Sequence, residues 1–430
     1  MRAIVRVGLL VLALVSALSS ADELKDYFYG QGVRQLVGEG IAAAGKKDYA
    51  AAAIAFKKAL QIAPDPHIQL RLASVQARLG EKRDALALLN RVAELKLGYD
   101  IEHIPAFATL KDDPEYKALV AKFAAGDPVR VRSEIAHVIR DPKLIPEGLA
   151  YDAATQTLYV GSLNKQKIVR IDRTGQVSDF VPSRGGGIWN VLGMKVDPKR
   201  RLLWTASSAS DARFGQDNGT AGLFAFDLST GKLVRKYVVD AKSGPHLFND
   251  LDFAPNGDVH VTDSLRGTVY RVANGADKAE EILPPNTFWY PNGLIVTPDG
   301  ARLLVASDTA GISVVDLKTK AMSLLLRPID ISTQGIDGMY LRGRSIIAVQ
   351  NGLGPGRIMR YELSPGLDRV EKAVVLESRN PKFKIPTTGA LAGDHFYFIA
   401  NAQVDQINDN GTIKDEKALQ DVLISKLKVD

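Results

Sequence analysis

Residues Phe248 to Ser264 read FNDLDFAPNGDVHVTDS. A short strand leads into a Pro255-Asn256-Gly257-Asp258 turn, and a second strand alternates Val259 and Val261 with His260 and Thr262. Alone this is a β-hairpin. Its pattern recurs, however, along the last two-thirds of the chain. First strands read EGLAYD from Glu147, LGMKVD from Leu192, NDLDFA from Asn249, NGLIVT from Asn292, DGMYLR from Asp337 and TGALAG from Thr388, in steps of 45, 57, 43, 45 and 51 residues. Second strands follow each turn, as in TLYVGS, LLWTAS, LLVASD and FYFIAN. A unit of about 40–50 residues with some four short antiparallel strands is a propeller blade. The sequence therefore predicts a mainly β protein, a six-bladed β-propeller over residues 126–430. The segment Val129 to Ile139, ahead of the first copy, is expected to pair with the last blade and close the ring, removing exposed sheet edges.

The first strand of each blade lines the central channel, so its starting residue stands at one mouth. Those residues are Glu147, Leu192, Asn249, Asn292, Asp337 and Thr388. Two carboxylates and two amide carbonyls converging on an axis suit a hard divalent cation, most simply Ca2+, with Glu147, Asn249, Asn292 and Asp337 as its ligands. Asn-Gly and Asp-Gly usually mark turns. Here they share one phase of the repeat, while Pro255–Asp258 and Pro298-Asp299-Gly300 supply the turns. The six histidines are scattered and form no HExxH, which argues against zinc. His246, three residues before Asn249, and Asp263, where the second strand returns, are expected at the mouth as substrate-binding residues beside Trp289. Trp189 and Tyr290 also precede first strands and are further pocket candidates.

Ahead of the propeller, residues 22–125 are rich in Ala, Leu, Lys and Gln and read as helical. Tyr49, Ala52, Phe56, Ala59 and Pro64 are answered by Gly80, Ala85, Leu89 and Val92, with Ala52 and Ala85 33 residues apart. This small all-α domain resembles the tetratricopeptide repeat, which implies a packing or protein-interaction module. Gly40-Ile-Ala-Ala-Ala-Gly45-Lys46-Lys47 mimics a phosphate-binding loop but lacks the Ser or Thr after its lysine and the preceding strand. Residues 1–21, with Arg2 and Arg6 before an apolar run and small residues Ser19-Ser20-Ala21 before Asp22, have the layout of a secretory signal peptide. The protein is thus expected to be exported, periplasmic or secreted, with no membrane span after cleavage. The chain has no cysteine, which excludes thiol nucleophiles, thiolate metal sites and disulfides. Its formal charge of +6, +4 without the leader, is not concentrated into a basic, aromatic-interleaved block, so nucleic acid is not an expected partner.

PEGLAYD at 146–152, FNDLDFAPNGDVHVTDS at 248–264, YPNGLIVTPDG at 290–300 and IDGMYL at 336–341 together resemble the gluconolactonase/senescence-marker-protein superfamily. That group is akin to luciferin-regenerating enzymes, squid-type phosphotriesterases and paraoxonases. The resemblance covers about residues 140–410 and implies a catalytic divalent cation, usually calcium, at Glu147, Asn249, Asn292 and Asp337. Gly148 and Gly338 depart from the paraoxonase pattern, so a second, structural calcium does not carry over. The activity implied is metal-assisted hydrolysis of a lactone or ester, a small-molecule substrate. Asp337 is expected to serve as base through a spare oxygen, with Glu147 as the alternative. No G-x-S-x-G supports a serine nucleophile. The other reading is a non-catalytic binding or scaffold propeller that uses the helical repeats to dock a protein partner.

Overall fold

The computed structural model describes residues 30–430. The leader read in residues 1–21 and the start of the helical region lie outside the described residues. Helices come first: α1 (Gly30–Gly45), α2 (Tyr49–Ile62), α3 (Pro66–Leu79), α4 (Lys82–Glu94) and α5 (Pro114–Gly126). Asp48, Asp65 and Asp113 cap α2, α3 and α5 by accepting from the backbone N–H of Ala51, Ile68 and Glu115 at 3.0, 3.0 and 2.8 Å. Gly80, at φ 80°, ends α3 in the left-handed region that a side chain would resist. The small and apolar positions 33 residues apart, Ala52 and Ala85, Phe56 and Leu89, Ala59 and Val92, are all buried between helices. Among the described residues no helix is long and apolar enough to cross a membrane.

The described strands form six four-stranded antiparallel sheets, so the propeller has six blades. Inner strands are Pro146–Asp152, Asn190–Asp197, Phe248–Phe253, Pro291–Val296, Ile336–Arg342 and Gly389–Ala392. The sixth blade takes its outermost strand from the start of the propeller. Glu134–Ile139 pairs with Val422–Lys428, from Glu134 opposite Lys426 to Ile139 opposite Val422. Each seam between blades is filled from both sides. Leu149, Val160 and Val169 of blade one, for example, meet Ala390, Ile399 and Ile424 of blade six. Fully buried apolar area of this kind stabilises a domain that has no disulfide.

The helices rest on the mouth end of blades four and five. Trp289, in the loop entering blade four, packs against the cluster of Val33, Phe56 and Leu72. Buried Arg357, at the start of the third strand of blade five, donates to Lys96 O at 3.1 Å and to Gln350 Oε1 at 2.6 Å. Arg379, in the loop entering blade six, reaches Gly98 O and pairs with Asp127 at 3.3 Å. The helical domain is thus seated on the propeller.

Candidate functional site

Five of the six inner strands carry a bulge at their mouth end. In blade one Pro146 pairs with Ser162, and the next pair is Leu149 with Val160; Glu147 and Gly148 lie between. The same skip occurs at Phe248/Leu251, Pro291/Leu294, Ile336/Met339 and Val191/Met194. A bulge bends its strand and re-aims the extra side chain, here toward the axis. The glycine after it has a separate cause. A Cβ on Gly148 would stand 1.9 Å from Leu192 O, on Gly193 2.4 Å from Asn249 O, and on Gly293 2.5 Å from Asp337 O. Each glycine occupies the place where the neighbouring inner strand brings its carbonyl, so these dipeptides are close-approach sites, not turns.

The re-aimed side chains meet at a cavity of about 390 Å³ at the channel mouth. Its wall includes Glu147, Asn249, Asn292 and Asp337, with Leu192 in the blade-two position. All four of these side chains keep a buried oxygen without a hydrogen-bond partner among the described residues: Glu147 Oε2, Asn249 Oδ1, Asn292 Oδ1 and Asp337 Oδ1. Neighbours fix the orientation. Asn249 Nδ2 donates to Ser264 Oγ at 3.0 Å, and that hydroxyl donates to Pro291 O at 2.6 Å, leaving Asn249 Oδ1 free. Asn351 Nδ2 donates to Asp337 Oδ2 at 2.6 Å and to Pro386 O at 2.8 Å. The second oxygen of Asp337, Oδ2, is therefore engaged, while Asp337 Oδ1 and Glu147 Oε2 stay without a hydrogen-bond partner among the described residues.

Burial pushes the Asp337 carboxyl up to about 7, offset in part by the bond from Asn351. Burial, then the Asp337 and Asp250 carboxylates, raises Glu147 well above its ordinary range. Asp250, which replaces the glycine of the other blades, is likewise raised by burial to about 7. Among the described residues no Lys, Arg or His lines the cavity; Lys195, outside it, offsets part of the rise at Asp250. Unpartnered buried oxygens cost free energy unless something binds them. Four oxygen donors without nitrogen or sulfur fit a hard divalent cation. Among the described residues no group of three or more His, Cys, Asp or Glu is placed to hold a metal; the convergent set is two carboxylates with two amides.

The three residues expected to touch substrate are not in this wall. His246 and Asp263 are fully buried and bonded to each other, Nδ1 to Oδ2 at 2.6 Å. Asp263 also accepts from the backbone of Leu247 at 2.9 Å and Arg266 at 3.1 Å, so the pair fastens the loop that enters blade three. Trp289 packs on the helices, and Trp189 points its Nε1 to Asp217 at 3.3 Å. In blade six the wall residue is Thr387, one place before the expected Thr388. The Thr388 hydroxyl instead donates to Glu147 O. Proline gives the better phase, since Pro146, Pro291 and Pro386 precede Glu147, Asn292 and Thr387. The residues before these prolines, Ile145, Tyr290 and Ile385, share φ values of 43, 50 and 55°. Sequence reading missed Asp308 and Asn351, which lie just past second strands and line the cavity.

A six-bladed propeller with a convergent oxygen-donor site at one mouth is the class that fold and site define. The family described as SMP-30/Gluconolactonase/LRE-like region matches residues 145–372, over half of the chain, and the protein belongs to that family. No curated protein matches the sequence. Among solved structures, a gluconolactonase from Xanthomonas campestris is 14% identical, covers 70% of this chain and 97% of its own, and has a TM-score of 0.46. A calcium-binding regucalcin from Agrobacterium tumefaciens is 17% identical, with 68% and 93% covered and a TM-score of 0.46. A luciferin-regenerating enzyme is 15% identical, with 67% and 94% covered and a TM-score of 0.46. Likenesses at this level say nothing about chemistry.

Proposed function

We propose that the protein is an exported, cation-dependent hydrolase of lactones or esters, with calcium the best-fitting ion, held by Glu147, Asn249, Asn292 and Asp337. One observation carries this reading: four blades each aim a buried, unpartnered oxygen at the same cavity. When bound, the cation supplies Lewis acidity toward the substrate carbonyl and charge stabilisation of the oxyanion formed on it. Glu147 is the favoured base, because its buried Oε2 has no hydrogen-bond partner among the described residues. It takes a proton from water as the water oxygen bonds to the acyl carbon. The C–O ester bond then breaks, and the proton passes from Glu147 to the departing alkoxide oxygen. Asp337, tied to Asn351, keeps its free Oδ1 facing the cavity. The family to which the chain belongs supports a lactonase-type reaction.

The test is turnover of a panel of lactones and aryl esters with calcium and again with chelator. Hydrolysis that chelator abolishes and calcium restores is expected; a calcium-loaded preparation that hydrolyses none of them sinks the reading. Export has its own check. The N-terminus of the protein recovered from outside the cytoplasm should be Asp22, and recovery only as the Met1 form in the cytoplasm would remove that part.

A further inference from the structure

The cavity wall beyond the four oxygen donors has a distinct composition. Leu163, Leu192, Leu247, Ile336, Ile385 and Val404 supply apolar surface. Leu163, Ile385 and Val404 are only half-buried, so part of that surface is open to whatever enters. Ile385 is a β-branched residue held at φ 55°, a conformation such residues avoid unless their surroundings impose it. The charged members of the wall are all acidic: Glu147, Asp337 and Asp308. Asp308 makes no side-chain hydrogen bond among the described residues, and even a dication leaves one of the three carboxylates uncompensated. A phosphate or carboxylate on a substrate would meet no basic group there. Away from the acidic side, the wall's hydroxyls are already engaged. The Thr387 hydroxyl already donates to Glu147 O at 3.3 Å, and Ser210 Oγ already accepts from Asn190 at 2.9 Å. A polyol lying against the Leu163, Ile385 and Val404 side exchanges water for leucine, isoleucine and valine.

Resting on the hydrolase reading above, we propose that the substrate is an uncharged lactone or ester with an alkyl or aryl substituent. The substituent lies against the Leu163, Ile385 and Val404 side of the mouth, with the carbonyl toward the oxygen donors. The family's description alone points instead to a sugar lactone. The deciding experiment uses the calcium-loaded full-length protein and a γ-lactone series with side chains from methyl to hexyl, plus glucono-δ-lactone and its 6-phosphate. Burial of each added methylene should raise kcat/KM about threefold to fourfold, chiefly through KM. Gluconolactone should fall at least about 100-fold below the hexyl lactone, by the same burial argument. The phosphate ester should show no turnover. Leu163→Asn and Val404→Asn should flatten the chain-length dependence, lowering kcat/KM for the hexyl lactone far more than for the methyl lactone. A flat or falling series, or preference for gluconolactone or its phosphate, overturns the proposal and leaves the hydrolase reading standing. If nothing is hydrolysed, that reading fails by itself, and calorimetry with alkyl lactams decides the ligand class. Affinity that tightens with chain length retains it; affinity independent of length rejects it.

Discussion

Asn292 and Asp337 show how a single atom carries the site. The amide of Asn292 leaves Oδ1 buried and unpartnered, a cost the fold bears unless a ligand removes it. Asn292→Ala should therefore fold as well as the parent protein but bind calcium at least about tenfold more weakly, the equivalent of one lost ligand oxygen. Calorimetric titration reads this directly, and unchanged affinity would remove Asn292 from the site. Asp337 gives a prediction in pH. Its carboxyl ordinarily titrates near 3.8 but is held up to about 7 by burial in the cation-free protein. Between those values the folded state keeps a proton that the unfolded state has lost, so stability falls as pH rises through the window. Asp250, also raised to about 7, acts in the same sense; His260, lowered to about 4 by burial, acts in the opposite one. Asp337→Asn isolates the term. In chelator, urea midpoints from pH 4.5 to 7.5 should fall less steeply for the variant, and parallel curves would contradict the assignment. The convergence of Glu147, Asn249, Asn292 and Asp337 on one cavity was legible in the sequence because each sits at one phase of a repeat whose other positions are fixed by strand pairing. Asp308 and Asn351 were not, since the loops after second strands differ in length and sequence from blade to blade, leaving no phase to compare. His246 misled for a related reason: a distance of three residues from Asn249 does not say which side of the strand a ring will take, and this one turns to Asp263.

At the scale of the element, the bulge and its glycine form one device. The bulge aims the donor, and the glycine lets the next inner strand come close enough for its own donor to share the cavity. Gly148→Ala tests the second half. Its Cβ would fall 1.9 Å from Leu192 O, an atom of the backbone that cannot swing aside. The two inner strands must separate, at a cost of about 3 kcal/mol or more, the upper range for overpacking. Gly366→Ala, whose Cβ would meet nothing nearer than 3.3 Å, is the control and should stay within about 1 kcal/mol. Equal denaturation midpoints for the two variants would show that close approach is not why blade one carries a glycine. The sequence made the dipeptides visible but gave them the wrong neighbour in blade six. There Gly389 meets Phe396 and Tyr397 of its own blade, whereas Pro386 marks the true phase.

The whole molecule is held closed at two places that the chain order separates cleanly. The strand Glu134–Ile139 completes blade six, and the helices ending at Gly126 cover loops of blades four and five. A chain starting at residue 140 lacks both, and leaves the Val422–Lys428 strand as an open edge whose Val422 and Ile424 were fully buried. Unpaired edges of this kind recruit other edges, so this form should aggregate. A chain starting at residue 127 keeps the ring closed but strips Trp289 of its apolar cover and Arg357 of its Lys96 acceptor. It should remain a monomeric propeller, yet less stable by about 2 kcal/mol or more, the scale of a half-buried aromatic and a charged hydrogen bond lost together. Light scattering and urea unfolding of the two forms check the pair of outcomes. A soluble, cooperatively unfolding chain from residue 140 would show that ring closure is dispensable. A chain from residue 127 as stable as the full protein would show that the helical seat contributes nothing to the propeller. The second form also bears on the site, because Arg357 bonds Gln350, the residue before Asn351, and Asn351 holds Asp337. Loss of the helices should loosen that run of contacts, so calcium affinity is expected to fall in the chain from residue 127 even though every donor is still present.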